Sequence, residues 1–223
     1  MNAITLIEMR VLADAGALAD LVLRLGHLAA DVPELAQLIR GEFPGCEFNI
    51  EGNPDARFVE LVEMVKPDQA TLVPDDIRQA TSDHGWDIAA HATFLRDIVA
   101  RLQGSSIRVS LFIDAESHLP PLAAEVGADR VEIYTGPYGG TFDAAAKQGE
   151  LDKVVATGNA AKAAGLGLNA GHDLTRDNLP ALVAALPHLA EVSIGHAVVA
   201  DALTFGIGET VRLFRAACGN PVA

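Results

Sequence analysis

Short apolar runs alternate with amphipathic stretches along this chain, and from residue 46 onward the alternation becomes regular. Runs rich in β-branched and aromatic residues and bounded by turn residues predict strands. They fall at 46–51, 69–74, 108–114, 130–135, 166–170 and 191–194. Helical spacing predicts helices at about 55–65, 88–102, 118–126, 143–164, 178–186, 197–203 and 208–217. Two loops stand out: a long polar one at 75–87 and a Gly/Pro-rich one at 136–141. Upstream, Asp31-Val32-Pro33-Glu34 reads as a helix start, with Asp31 as N-cap, Pro33 in the first turn and Glu34 at the third position, and the helix runs to about Glu42. Residues 1–30 read as one or two Ala/Leu-rich helices, with a short first strand over 2–7.

Strands that alternate with helices predict an α/β fold with a parallel sheet. The strand faces read as almost continuously apolar, as in a sheet covered by helices. Polar residues gather at the strands' C-terminal ends: Glu51, Asp75, Asp114, Glu132 with Tyr134, His172 and His196. That rim is where a (β/α)8 TIM barrel does its chemistry. An open doubly wound sheet is the competing fold, but no Gly-rich fingerprint follows the first strand. A closed barrel needs eight strands, and the first 45 residues, mainly helical in pattern, would have to supply two. The expectation is a single barrel domain over 1–223, incomplete at strands one and two, with an atypical segment at 1–45 and six βα units over 46–218.

The 223 residues suffice for one substantial core, and with half of them apolar the chain is globular. A formal charge of −14 argues against nucleic-acid or anionic-membrane partners. It leaves phosphorylated substrates open, because backbone N–H groups can hold a phosphate. Cys46 and Cys218 form no zinc or disulfide pattern. Without a long apolar run or a signal peptide, a soluble cytoplasmic protein is expected.

Candidate chemistry centres on two echoing stretches, Leu168-Asn169-Ala170-Gly171-His172-Asp173 and Val192-Ser193-Ile194-Gly195-His196-Ala197. In each, an apolar run ends in Gly-His before a helical pattern. Gly permits a sharp turn and close approach, and His titrates near neutral pH. Asp173 is placed to orient the His172 imidazole; the plainer reading makes Asp173 or Thr175 a helix N-cap. Gly195-His196 leads into a helix whose amides can bind phosphate. Glu51 ends a strand and shares a face with Asn49; it is a candidate general base, or else a strand-end ion pair. Glu132 and Tyr134 alternate so as to point inward together. Thr81, in the 75–87 loop with Ser82, Asp83, His84, Gly85 and Trp86, is a candidate donor to phosphate; alternatively the loop is solvated and anchored by Trp86. No metal-ligand spacing is present. Lys66, Lys147, Lys153 and Lys162 lie in or beside helices rather than at strand ends, which leaves acid–base chemistry by Glu and His.

These residues carry a resemblance. Phe48-Asn49-Ile50-Glu51-Gly52, Thr71-Leu72-Val73-Pro74-Asp75, Ala80 through Asp87, Val109 through Asp114, Glu132 through Tyr138, Asn169 through Leu174 and Ser193 through Ala197 together resemble the pyridoxine 5'-phosphate synthase family. The likeness covers about 31–218. It implies a (β/α)8 barrel that condenses 3-amino-2-oxopropyl phosphate with 1-deoxy-D-xylulose 5-phosphate, without an organic cofactor, in a homo-oligomer that is commonly an octamer. It implies Glu51 as general acid/base and His172 as proton donor. Thr81, Asp173, Gly195 and His196 would surround the aminoketone phosphate, and Glu132 would belong to the inner site. Asn2-Ala3-Ile4 stands where the family has a first strand with an Asn-x-Asn/Asp pattern, which marks Asn2 as substrate-binding. The departure follows it: Ala30 runs straight into Asp31, where the family has a second strand ending in His-x-Arg. About twenty residues, on the scale of one barrel unit, are missing there. They include the family's strand-two general base and the basic residues for the deoxyxylulose phosphate; His27 does not match that base. The alternative expectation is an impaired homologue that binds phosphate ligands without turnover.

Overall fold

The computed structural model describes residues 7–10, 32–75 and 82–220. Its strands are β1 (Ile7–Arg10), β2 (Glu47–Gly52), β3 (Gln69–Leu72), β4 (Arg108–Ile113), β5 (Arg130–Tyr134), β6 (Gly167–Gly171) and β7 (Leu189–Ser193). They form one sheet in chain order, with β2 to β7 parallel and β1 antiparallel to β2. The six parallel strands form a half-barrel. Among the described residues no strand joins β7 back to β1. The first described strand is Ile7–Arg10, and its direction is opposite to that of a barrel strand; the rest of the strand expected over 2–7 and the helices expected over 1–30 lie outside the described residues.

The helices are α1 (Val32–Glu42), α2 (Ala56–Val65), α3 (Ile88–Gly104), α4 (Leu119–Glu125), α5 (Gly136–Gly140), α6 (Ala144–Ala163), α7 (Leu179–Ala185), α8 (His196–Phe205) and α9 (Ile207–Ala217). Asp residues start three of them. Asp55 accepts from Phe58 N at 2.7 Å, Asp87 from Ala90 N at 3.0 Å and Asp143 from Ala146 N at 2.9 Å. Each satisfies a first-turn amide that has no partner within its helix. α2 ends at Lys66 in the left-handed region (φ 53°), and Pro67 prevents continuation. The Arg40 guanidinium donates to the carbonyls of Val65 and Lys66 at 2.6 and 2.5 Å, closing that helix end. The Gly/Pro-rich 136–141 stretch is not a loop: it is the short helix α5, with Pro137 in a first-turn position where no N–H is needed.

Strand alternation separates two environments. Phe48, Ile50, Val109, Leu111, Val131 and Leu168 pack outward into the helix-side core. Each such fully buried side chain contributes about 1.5–3 kcal/mol. The inner face is polar, contrary to the expectation of continuously apolar strands. Asn49, Glu51, Gln69, Thr71, Ser110, Glu132, Asn169, Glu191 and Ser193 are all buried. At the N-terminal end of this face, Arg108 donates to Glu47 at 2.6 Å and to Gln69 at 2.9 Å. Arg130 likewise reaches Asn169 at 3.1 Å and Glu191 at 3.2 Å. Asn49, Thr71 and Gln69 form a hydrogen-bonded cluster above them. Most buried polar groups are paired in this way.

Candidate active site

At the C-terminal ends of the strands the inner face turns aromatic. Phe112 of β4, Tyr134 of β5 and His172, just past β6, form a triangle. Ring centroids lie 5.6 Å apart for Phe112–Tyr134, 5.7 Å for Phe112–His172 and 5.4 Å for Tyr134–His172. The last is edge-on, a favoured aromatic geometry. Burial in this pocket pushes the His172 pKa below its ordinary value, Asp173 and Asp75 oppose that push, and His196 adds to it. The neutral imidazole is therefore favoured, and its conjugate imidazolium is a stronger acid than usual. Tyr134 moves the other way. Burial first, then Asp173, Asp83 and Asp114, raise its pKa, so the phenol keeps its proton.

His172 and Asp173 both have positive φ, 81° and 55°. Non-glycine residues pay about 1–3 kcal/mol each for such backbone, and it survives only where its surroundings overdetermine it. The N-cap reading of Asp173 or Thr175 does not hold: α7 begins at Leu179 after Asn178, and Thr175 N donates to Asn178 Oδ1 at 2.8 Å.

Glu132 sits on the same inner face, 1 % exposed. A methyl group at Gly171 would lie 2.3 Å from Glu132 Oε1 and 2.9 Å from Ser193 Cβ. Glu132, Gly171 and Ser193 thus meet directly below the His172 turn, and only glycine fits at 171. Ser110 Oγ, Asn169 Nδ2 and Ser193 Oγ are buried without a hydrogen-bond partner among the described residues. An interior of this kind suits polar occupants.

Glu51 closes β2 at the same rim, 6 % exposed, with Asn49 on its face as the alternation predicts. Three strands separate β2 from β6, so Glu51 and His172 stand on different sectors of the rim. Asp75 follows β3 and accepts a hydrogen bond from Ser82 Oγ. Trp86 anchors the returning loop: its Nε1 donates to Leu72 O and its backbone N to Phe112 O, both at 2.9 Å. Gly195 is the N-cap of α8 and brings no side-chain cap, which leaves the first-turn amides of His196, Ala197 and Val198 without intrahelical acceptors. Asn2 and Thr81 lie outside the described residues. No group of three or more potential metal ligands occurs among the described residues.

The structure thus brings Glu132, His172 and Asp173 into one cluster, with His196 close enough to influence the His172 charge. Sequence reasoning missed Phe112, Thr135 and Asn178. Phe112 hides as an ordinary strand apolar residue. Thr135 acts on backbone carbonyls 36 and 37 positions away, and Asn178 acts on the Asp173 carbonyl within an irregular turn, so no helix or strand pattern reports either.

The model of the pyridoxal phosphate biosynthesis protein PdxJ family matches residues 26–220. The pyridoxine 5'-phosphate synthase of Allorhizobium ampelinum is 58% identical over 194 residues, covering 86% of this chain and 78% of that protein. That of Agrobacterium fabrum is 55% identical over 194 residues, 86% of this chain and 77% of that protein. That of Brucella abortus is 56% identical over 186 residues, 83% of this chain and 76% of that protein. A solved structure described as "Native KDPGal structure" superposes with a TM-score of 0.55 at 13% identity, covering 92% of this chain and 87% of that one. That likeness concerns the fold alone.

Proposed function

The chain belongs to the PdxJ family of pyridoxal phosphate biosynthesis proteins, and from that membership we propose that its strand-end rim performs pyridoxine 5'-phosphate synthesis with Glu51 and His172 as the acid–base pair. The reaction condenses 3-amino-2-oxopropyl phosphate with 1-deoxy-D-xylulose 5-phosphate and releases phosphate and water. The alternative of a phosphate-binding homologue without turnover is not favoured, since relatives 55–58% identical over most of the chain are synthases.

Ring closure requires protons to be taken from carbon and nitrogen and delivered to departing oxygens. Two groups on different sectors of one rim suit this, each serving its own side of the forming ring. Glu51, buried at the end of β2, is the general acid/base. His172 enters neutral because of its burial, accepts a proton and returns it as a strengthened acid to a leaving oxygen. Tyr134, held protonated, presents a hydroxyl to the same space. The aminoketone phosphate lies on the α8 amides at Gly195 and His196, where the helix end favours an anion. Thr81 and Asp173 complete that end, Glu132 holds the inner face, and Asn2 belongs to the same substrate surface. The half-barrel is read as a (β/α)8 barrel that is incomplete at strands one and two. The working form is a cytoplasmic homo-oligomer, octameric by family resemblance; exposed Val199 and Leu203 on α8 give it apolar surface to cover. No helix among the described residues is long and apolar enough to cross a membrane.

The observation that carries the acid–base assignment is His172, strained, half-buried and shifted toward neutrality at the rim. Product formation from both substrates tests it. Wild-type protein should make pyridoxine 5'-phosphate, and Glu51→Gln and His172→Gln should each lose about 10²–10⁴-fold. Unchanged turnover in either variant overturns that residue's role.

A further inference from the structure

We propose that Thr135 is a positioning residue for His172: its buried side chain holds the left-handed turn that aims the imidazole into the aromatic pocket. The proposal deepens the function above and rests on His172 serving as the acid–base group.

Three consecutive carbonyls carry the strained turn, and each has a donor from outside it. Thr135 N donates to Gly171 O at 2.7 Å. Thr135 Oγ1 lies 2.6 Å from Gly171 O and 2.6 Å from His172 O, so its single hydroxyl proton is shared between the two. Asn178 Nδ2 donates to Asp173 O at 3.0 Å. Asn178 is itself fixed, because Tyr138 Oη donates to its carbonyl at 2.7 Å. Thr135 is completely buried. It directly follows β5, which carries Glu132 and Tyr134, so one short stretch sets the inner carboxylate, the ring beside His172 and the clamp on its backbone.

The side chain of Thr135 does no other local work. It sits at the N-cap of α5 and makes no capping hydrogen bond there. Its hydroxyl is spent on the turn. From the other side, α5 presses its glycine backbone on the turn: a Cβ at Gly139 would lie 2.2 Å from Asp173 O. Two adjacent residues at positive φ have no local reason to stay there. Without the shared hydroxyl bond, the peptide between His172 and Asp173 loses its external restraint, and the ring leaves its 5.4–5.7 Å contacts with Tyr134 and Phe112.

The test compares Thr135→Val, which keeps the shape and removes the donor, with Thr135→Ser, which keeps the donor. The full chain is used, with two readouts. The first is the NMR titration of the His172 ring, which needs no substrate. It should move toward an ordinary histidine value in Thr135→Val and stay near the wild-type position in Thr135→Ser. The second is turnover: kcat should fall about 10²-fold in Thr135→Val, as for a misplaced catalytic group, with KM for the aminoketone phosphate changed far less and activity recovered in Thr135→Ser. Should Thr135→Val fail to fold, Thr135→Ala removes the same donor without adding a branched methyl beside the carbonyls, and the same shift is expected. An unmoved His172 titration in a folded donor-less variant overturns the proposal. A shifted titration together with a wild-type protein that makes no product leaves the positioning intact and overturns the functional reading instead.

Discussion

Replacing Gly171 by Ala puts one methyl group where Glu132 already is. The added Cβ lies 2.3 Å from Glu132 Oε1 and 2.9 Å from Ser193 Cβ, whereas real contacts of this kind almost never fall below 3.0 Å. The carboxylate must therefore withdraw by roughly 0.7 Å, and β7 must yield slightly at Ser193. Glu132 is a long side chain but a completely buried one, so it has nowhere free to swing. Overpacking of this sort costs about 1–3 kcal/mol. For a chain of this size each kcal/mol lowers Tm by about 2–4 °C, which sets the expected drop at about 2–12 °C. The turn that carries His172 begins at this residue, and a displacement approaching 1 Å is worth up to about 10²-fold in turnover. Calorimetry and the pyridoxine phosphate assay read the two effects on one preparation. The double variant with Glu132→Asp, one methylene shorter, should recover stability, with a coupling of about 0.5 kcal/mol or more. Gly149→Ala supplies the opposite sign. That residue is exposed in the middle of α6 with nothing within 4 Å of a new Cβ, so stability should rise by about 0.4–1 kcal/mol. Gly171→Ala with wild-type Tm and wild-type turnover would refute the packing argument.

Two further outcomes are expected. The folded-state pKa of His172 lies below the ordinary 6.5, so the unfolded chain binds the proton more readily. The contribution of His172 to stability is complete above pH 6.5 and is lost as pH falls through the folded value. The denaturant midpoint should therefore drop as pH falls below 6.5, and His172→Gln should remove part of that drop. Asp55→Ala removes the cap that Phe58 N uses, and chemical denaturation should report a loss of about 1 kcal/mol with turnover unaffected.

Much of this protein was legible along the chain. The six parallel strands and the helices between them follow from apolar runs, Asp caps and Gly or Pro stops, which are local signals. The rim residues were legible too, because a parallel βα sheet collects its chemistry at the strands' C-terminal ends. Glu51 with Asn49, and Glu132 with Tyr134, share faces by simple alternation. Sequence pattern failed where the cause was not local. The inner face read as apolar because each strand was judged by its outward residues; its polar half is tolerated only through cross-strand partners such as Arg130 with Glu191, 61 positions apart. The 136–141 stretch read as a loop, although Pro137 fits a first helical turn. The direction of β1 was equally out of reach, since antiparallel pairing with β2 is a choice between partners and not a property of Ile7–Arg10.

The paired Gly-His turns mark the division most clearly. Sequence alone placed both at strand ends and marked His172 and His196 as candidates for a shared site. Only the tertiary structure decided that His172 packs against aromatic rings, that its backbone is strained and that its proton affinity is lowered, because the rings are Phe112 and Tyr134 from other strands and the lowered affinity comes first from burial. A residue type sets which proton chemistry is available. The packing around it sets where the group points and which charge state it holds.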